Sequence, residues 1–119
     1  MDLLNLFKNA ETKGFTAGST IFKEGSEADC MYIVISGEVD IMGGGEVFDT
    51  VGVGEIFGEM ALIDAKPRSA SAVASTDCSL ATIDEKQFLY MVQETPFFSL
   101  HVMRVIAQRL RHMNELAEA

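Results

Sequence analysis

Glu59 and Arg68 stand nine residues apart in GEIFGEMALIDAKPRSASAV, Gly54 to Val73, an otherwise apolar and small-residue run of an acidic chain. A lone arginine there supplies a full charge and paired donors that suit a phosphate's geometry. The residues between them include good helix formers, and Gly58 to Ile63 reads as one turn of helix. Its first backbone N–H groups carry partial positive charge and lack intrahelical acceptors, so Gly58 through Leu62 can add donors without a second basic side chain. Glu59 would repel a phosphate, so its carboxylate must face a group that donates. A sugar hydroxyl is the natural partner, because a carboxylate accepts but cannot donate. Together the residues ask for a ligand with one phosphate beside a ribose hydroxyl. The competing view is a structural Glu59–Arg68 ion pair on a barrel rim, the default for an arbitrary pair.

Such groups need a scaffold, and the sequence around them has all-β texture: short β-branched or aromatic segments cut by Gly every few residues. Strands are expected at Gly14–Phe15, Thr20–Phe22, Met31–Ser36, Glu38–Met42, Glu46–Val51, Arg68–Ala74 and Ser79–Asp84. Gly43-Gly44-Gly45 reads as a hairpin turn, since Gly supplies the positive φ that such turns need. Helices flank the strands. Asp2 to Phe7 reads as a short amphipathic helix with Leu3, Leu4 and Phe7 on one face. Asp84 is a plausible N-cap for a helix over Glu85–Val92, and Thr95-Pro96 ends it where Pro96 can begin another. In that last helix Met103, Ile106, Leu110, Met113 and Ala117 recur at coiled-coil spacing, a seam for a second copy or a face packed on the chain's own domain.

Composition bounds the rest. At 119 residues the chain fits one domain, read as a helical segment over 1–12, a β-roll over 13–84 and helices over 85–119. Nine Lys and Arg against 18 Asp and Glu give a net charge of −9, which disfavours direct nucleic-acid binding. MDLLNLFKNAE is too short and charged for a signal peptide, and no apolar run approaches the ~20 residues that span a bilayer, so a soluble, cytoplasmic protein is expected. Cys30 and Cys78 read as reduced thiols rather than a disulfide. No metal-ligand cluster is suggested, His101 and His112 lying in the helical region. No nucleophile-and-base arrangement suggests an enzyme.

FGEMALIDAKPRSASA resembles the phosphate-binding cassette of the cyclic nucleotide-binding domain family, as found in protein kinase A regulatory subunits and the bacterial catabolite activator protein. The upstream IFKEGSEADCMYIVISGEVDI resembles the family's early strands, and the two C-terminal helices fit its hinge and lid. The resemblance implies a mainly β fold with flanking helices: a β-roll, or jelly-roll barrel, carrying a short cassette helix and two C-terminal helices. It implies that Glu59 accepts from a ribose 2′-hydroxyl and that Arg68 pairs with the cyclic phosphate of cAMP or cGMP. Gly58, Met60, Ala61 and Leu62 complete the cassette helix, while Ser69 and Ala70 follow the arginine. Val51, Val53, Ile56 and Val73 are read as core first, with Val51 and Val73 also as contacts to the base. Met113 and Asn114 lie where the catabolite activator protein's long helix reaches the adenine. A cyclic-nucleotide receptor module with an unidentified effector is therefore expected. The alternatives are a sensor fragment of a transcriptional regulator and a ligand-free dimerisation module.

Overall fold

Cys30–Ser36, CMYIVIS, is apolar at nearly every position, which marks a strand covered on both faces. The computed structural model describes residues 3–7 and 10–118, so the helix start expected at Asp2 lies outside the described residues. Among them run α1 (Leu3–Leu6), β1 (Thr12–Phe15), β2 (Thr20–Phe22), β3 (Cys30–Ser36), β4 (Val39–Gly43), β5 (Glu46–Val51) and β6 (Ile56–Phe57). After them come α2 (Met60–Asp64), β7 (Ser71–Ala74), β8 (Cys78–Asp84), α3 (Glu85–Glu94) and α4 (Pro96–Glu118). The described residues fall into two compact units: those up to Glu85 hold the strands with α1 and α2, and those from Lys86 on carry the rest of α3 and α4.

The strands form two four-stranded antiparallel sheets, ordered β1-β8-β3-β6 and β2-β7-β4-β5. This is a mainly β jelly-roll with flanking helices. Side chains alternate along each strand, so one face of each sheet turns to a shared interior. That interior is built from Tyr32, Val34, Val39, Val51, Phe57, Ala72, Ala74, Cys78 and Leu80, with Phe22 and Ile41 packed against it. The other face of β3 is also closed: Met31, Ile33 and their cross-strand neighbours Ile56, Ala81 and Ile83 are all buried. Each of the Met and Ile side chains among them contributes about 1.5–3 kcal/mol by leaving water. Leu3 and Phe7, one helical turn apart, are buried as well.

Gly44 and Gly45 form the two-residue turn between β4 and β5 with φ of 60° and 82°, the type I′ geometry that the twist of a hairpin favours. The cassette helix runs over Met60–Asp64 rather than Gly58–Ile63, and two departures exceed such shifts of one or two residues. β6 is a two-residue strand that exists through its pairing of Ile56 and Phe57 with Ile33 and Tyr32. Arg68–Ala70, expected as strand, lies outside β7 because the Arg68 backbone bonds to the turn after β2: Gly25 N–H donates to Arg68 O at 2.8 Å, and Arg68 N–H to Ser26 O at 2.9 Å. The two cysteines lie at opposite ends of the β3–β8 pair. Cys30 faces Asp84, six residues from Cys78, which at about 3.3 Å per residue separates them by ~20 Å, beyond disulfide reach.

In the helical unit, Phe88 of α3 meets Phe98 of α4 edge to face at 5.7 Å. Phe98 and Val102 are buried on α4, whereas Met103, Leu110 and Met113 are more than half exposed. The heptad stripe is therefore distinct from the buried face of its helix.

Candidate functional site

Gly58 follows β6 with φ +76°, a conformation that L side chains rarely adopt, and it directs the chain into α2. A Cβ there would stand 2.7 Å from Arg68 Nη1, so the position is glycine because the arginine needs the space. Arg68 Nη1 donates to Gly58 O at 2.8 Å, and Nη2 donates to Cys30 O at 2.6 Å. The guanidinium thus ties the start of β3 to the start of the cassette.

Beneath it lie two rings, packed in turn against a third. Arg68 Cζ is 4.1 Å from the Phe22 ring centroid and 5.8 Å from that of Tyr32. Phe22, Tyr32 and Phe57 are mutually packed, with centroids 6.0, 6.0 and 5.1 Å apart. An aromatic face attracts the guanidinium by about 0.5–2 kcal/mol and orients its plane. Burial, and secondarily a hydrogen bond with the Cys30 side chain, pushes the Tyr32 phenol well above its ordinary value, so this ring system stays neutral.

Arg68 is 6% exposed, and its Nε is the buried side-chain atom without a hydrogen-bond partner among the described residues. Leaving a buried donor unpaired costs about 1–3 kcal/mol, more for a charged group. A cation held in place with its Nε–H unpaired is suited to an anionic acceptor. Glu59 is 2% exposed, a depth a carboxylate tolerates only with partners. It heads α2 in helical geometry, and its side chain does not cap the helix.

The remaining expected residues fall into distinct places. Ala61 and Ala70 are buried, Met60 and Ser69 are exposed, and Leu62 is half-buried with its N–H already donating to Glu59 O at 3.1 Å. Ala65 ends α2 in the left-handed region at φ 57°, its N–H on Ala61 O. Val51 is buried to 1% inside the roll and Ile56 is buried on the other face of β3, whereas Val53 is exposed. Val73 alternates with Ala72 and Ala74, so it lies on the opposite face of β7 from the interior and lines a hollow of about 450 Å3 with Thr20, Lys23, Met42 and Ser71. Met113 and Asn114 are exposed on α4. The groups that sequence reasoning missed are Phe22, Tyr32, Phe57 and the Cys30 carbonyl. Phe22 and Tyr32 read as ordinary strand positions, and the Tyr32–Phe57 register sets the third ring against Tyr32.

The family model of the cyclic nucleotide-binding domain matches residues 12–95. The CRP-like cAMP-activated global transcriptional regulator of Mycobacterium tuberculosis is 32% identical over 114 residues, covering 92% of this chain and 51% of that protein. Among solved structures, the Thermus thermophilus catabolite activator protein superposes with TM-score 0.84 at 30% identity, covering 97% of this chain and 57% of that one. A structure described as Sp-2Cl-cAMPS bound to PKAR CBD2 gives 0.79 at 31%, covering 90% of this chain and 71% of that one. The chain spans about half the length of the curated relatives it matches.

Proposed function

We propose, because the chain belongs to the cyclic nucleotide-binding domain family, that it is a receptor module for cAMP or cGMP which passes the binding event to α3 and α4. The observation that carries this is Arg68: a buried guanidinium, held over two rings and bonded to two carbonyls, with Nε unpaired. The cyclic phosphate takes that donor together with N–H groups at the start of α2, and Glu59 accepts from the ribose 2′-hydroxyl. Ser69 and Ala70 border the phosphate, and Gly58, Met60, Ala61 and Leu62 form the cassette wall. Met113 and Asn114 are candidates for meeting the base when the helices close. Closure follows ligand only to the extent that the closed state binds it more tightly.

The exposed stripe of Met103, Leu110 and Met113, with half-buried Ile106, favours association of two copies through α4, since an apolar heptad face left in water is a seam for a partner helix. The effector that reads the closed state belongs to the longer proteins in which such modules occur. Calorimetric titration with cAMP, cGMP and 5′-AMP tests the receptor role. A cyclic nucleotide should bind at one site per chain and 5′-AMP at least tenfold more weakly. No heat from either cyclic nucleotide would overturn it.

A further inference from the structure

Regular antiparallel pairing would turn Phe22 away from the roll. Thr20 lies opposite Val73 of β7, so Ile21 would fall opposite the buried Ala72, and Phe22 opposite Ser71 on the outer face. Instead the register shifts between Thr20 and Phe22, and Phe22 itself lies opposite Ala72. This is a one-residue bulge, a device that re-aims side chains. Ile21 and Phe22 consequently both pack against the interior.

The redirected ring lies under the guanidinium. Arg68 Cζ stands 4.1 Å from the Phe22 centroid against 5.8 Å from that of Tyr32, and a Cβ on Gly58 would come 3.5 Å from Phe22 Cε2. The turn after the bulge is stitched to the same arginine: Gly25 N–H donates to Arg68 O at 2.8 Å and Arg68 N–H to Ser26 O at 2.9 Å. Glu24 N–H donates to Ser71 Oγ at 2.9 Å, which holds the end of β2 against β7. Arg68 is thus tied to this segment through its backbone and stacked on it through its side chain.

We infer that Phe22 is a positioning residue of the anion site, and that the bulge in β2 serves to set its π face, and not only its bulk, beneath Arg68. The bonds to Gly58 O and Cys30 O fix two corners of the guanidinium, and the ring fixes its plane. A cation already held in its binding orientation loses less freedom when an anion arrives, so affinity follows the electron density of the ring. The inference rests on the receptor role above for the ligand used to read it out.

The test replaces Phe22 in the whole chain with mono-, di- and trifluorophenylalanine, which withdraw charge from the ring face at nearly constant shape. Each protein is titrated calorimetrically with cAMP and cGMP, its folding checked by circular dichroism. Affinity should fall with each added fluorine, to about two- to thirtyfold below wild type for the trifluoro ring, the span of a guanidinium–ring contact. Phe22→Leu, an apolar filling without a π face, should lose at least as much. A trifluoro protein that binds as wild type does would overturn the inference, because the ring would then contribute only its volume. A readout that needs no nucleotide is the exchange of the Arg68 Nε–H with water, followed by nuclear magnetic resonance, which should quicken by about threefold or more in the trifluoro protein. If neither nucleotide binds the unmodified chain, the receptor role fails and this rate alone decides: equal exchange in the two proteins overturns the inference.

Discussion

Arg68 Nη1 donates to Gly58 O at 2.8 Å, and a Cβ on Gly58 would stand 2.7 Å from that same nitrogen, so the two residues define one another's place. Gly58→Ala should therefore act twice. The left-handed backbone costs an L residue about 1–2 kcal/mol, and the methyl pushes the guanidinium off its carbonyl. The expected outcome is a loss of about 2 kcal/mol or more in urea unfolding together with weakened nucleotide binding, the second absent from an equally destabilising substitution far from Arg68.

Ala65 gives the opposite sign. It closes α2 at φ 57°, where glycine carries no Cβ penalty. Ala65→Gly should stabilise the chain by about 0.5–1 kcal/mol, net of the entropy that glycine adds to the unfolded chain, read as a higher urea midpoint at unchanged m-value.

His101 makes stability fall at mildly acid pH. Burial, with the Arg104 guanidinium a turn away, lowers its folded-state value below the ordinary 6.5. The unfolded chain therefore takes the proton first. The contribution is complete above the unfolded value and is lost as pH falls from there to the folded one. His101→Gln should flatten that part of the stability-against-pH profile, measured by urea unfolding at successive pH values below 7.

The α4 stripe sets the oligomer prediction. Leu110 is 60% exposed and Met103 58%, so a charge at either position costs little in a monomer and much in a helix pair. Leu110→Glu should shift light scattering toward one chain per particle, with the circular dichroism of the β-roll unchanged.

Much of this was legible in local pattern. The apolar run of β3, the glycine turn between β4 and β5, and the Asp84 and Pro96 helix boundaries each depend on neighbours in sequence. The Glu59 and Arg68 positions were legible because residue type and spacing together name a chemistry. What was not legible depends on register. Ile56–Phe57 is strand only through β3, and Arg68 leaves β7 because the turn at Gly25 and Ser26 claims its backbone. The aromatic bed could not be read from Phe22 and Tyr32 alone, since strand aromatics are ordinarily core. Val73, expected first as core, is turned to the outer face by the alternation of β7.

Calorimetric titration of Arg68→Ala with cAMP and cGMP, beside wild type and with folding checked by circular dichroism, tests the central claim most directly. Truncating one partner of a buried charge pair costs roughly 2–5 kcal/mol, so the dissociation constant should rise at least about thirtyfold. A folded Arg68→Ala protein that binds either nucleotide as the wild type does would contradict the site assignment.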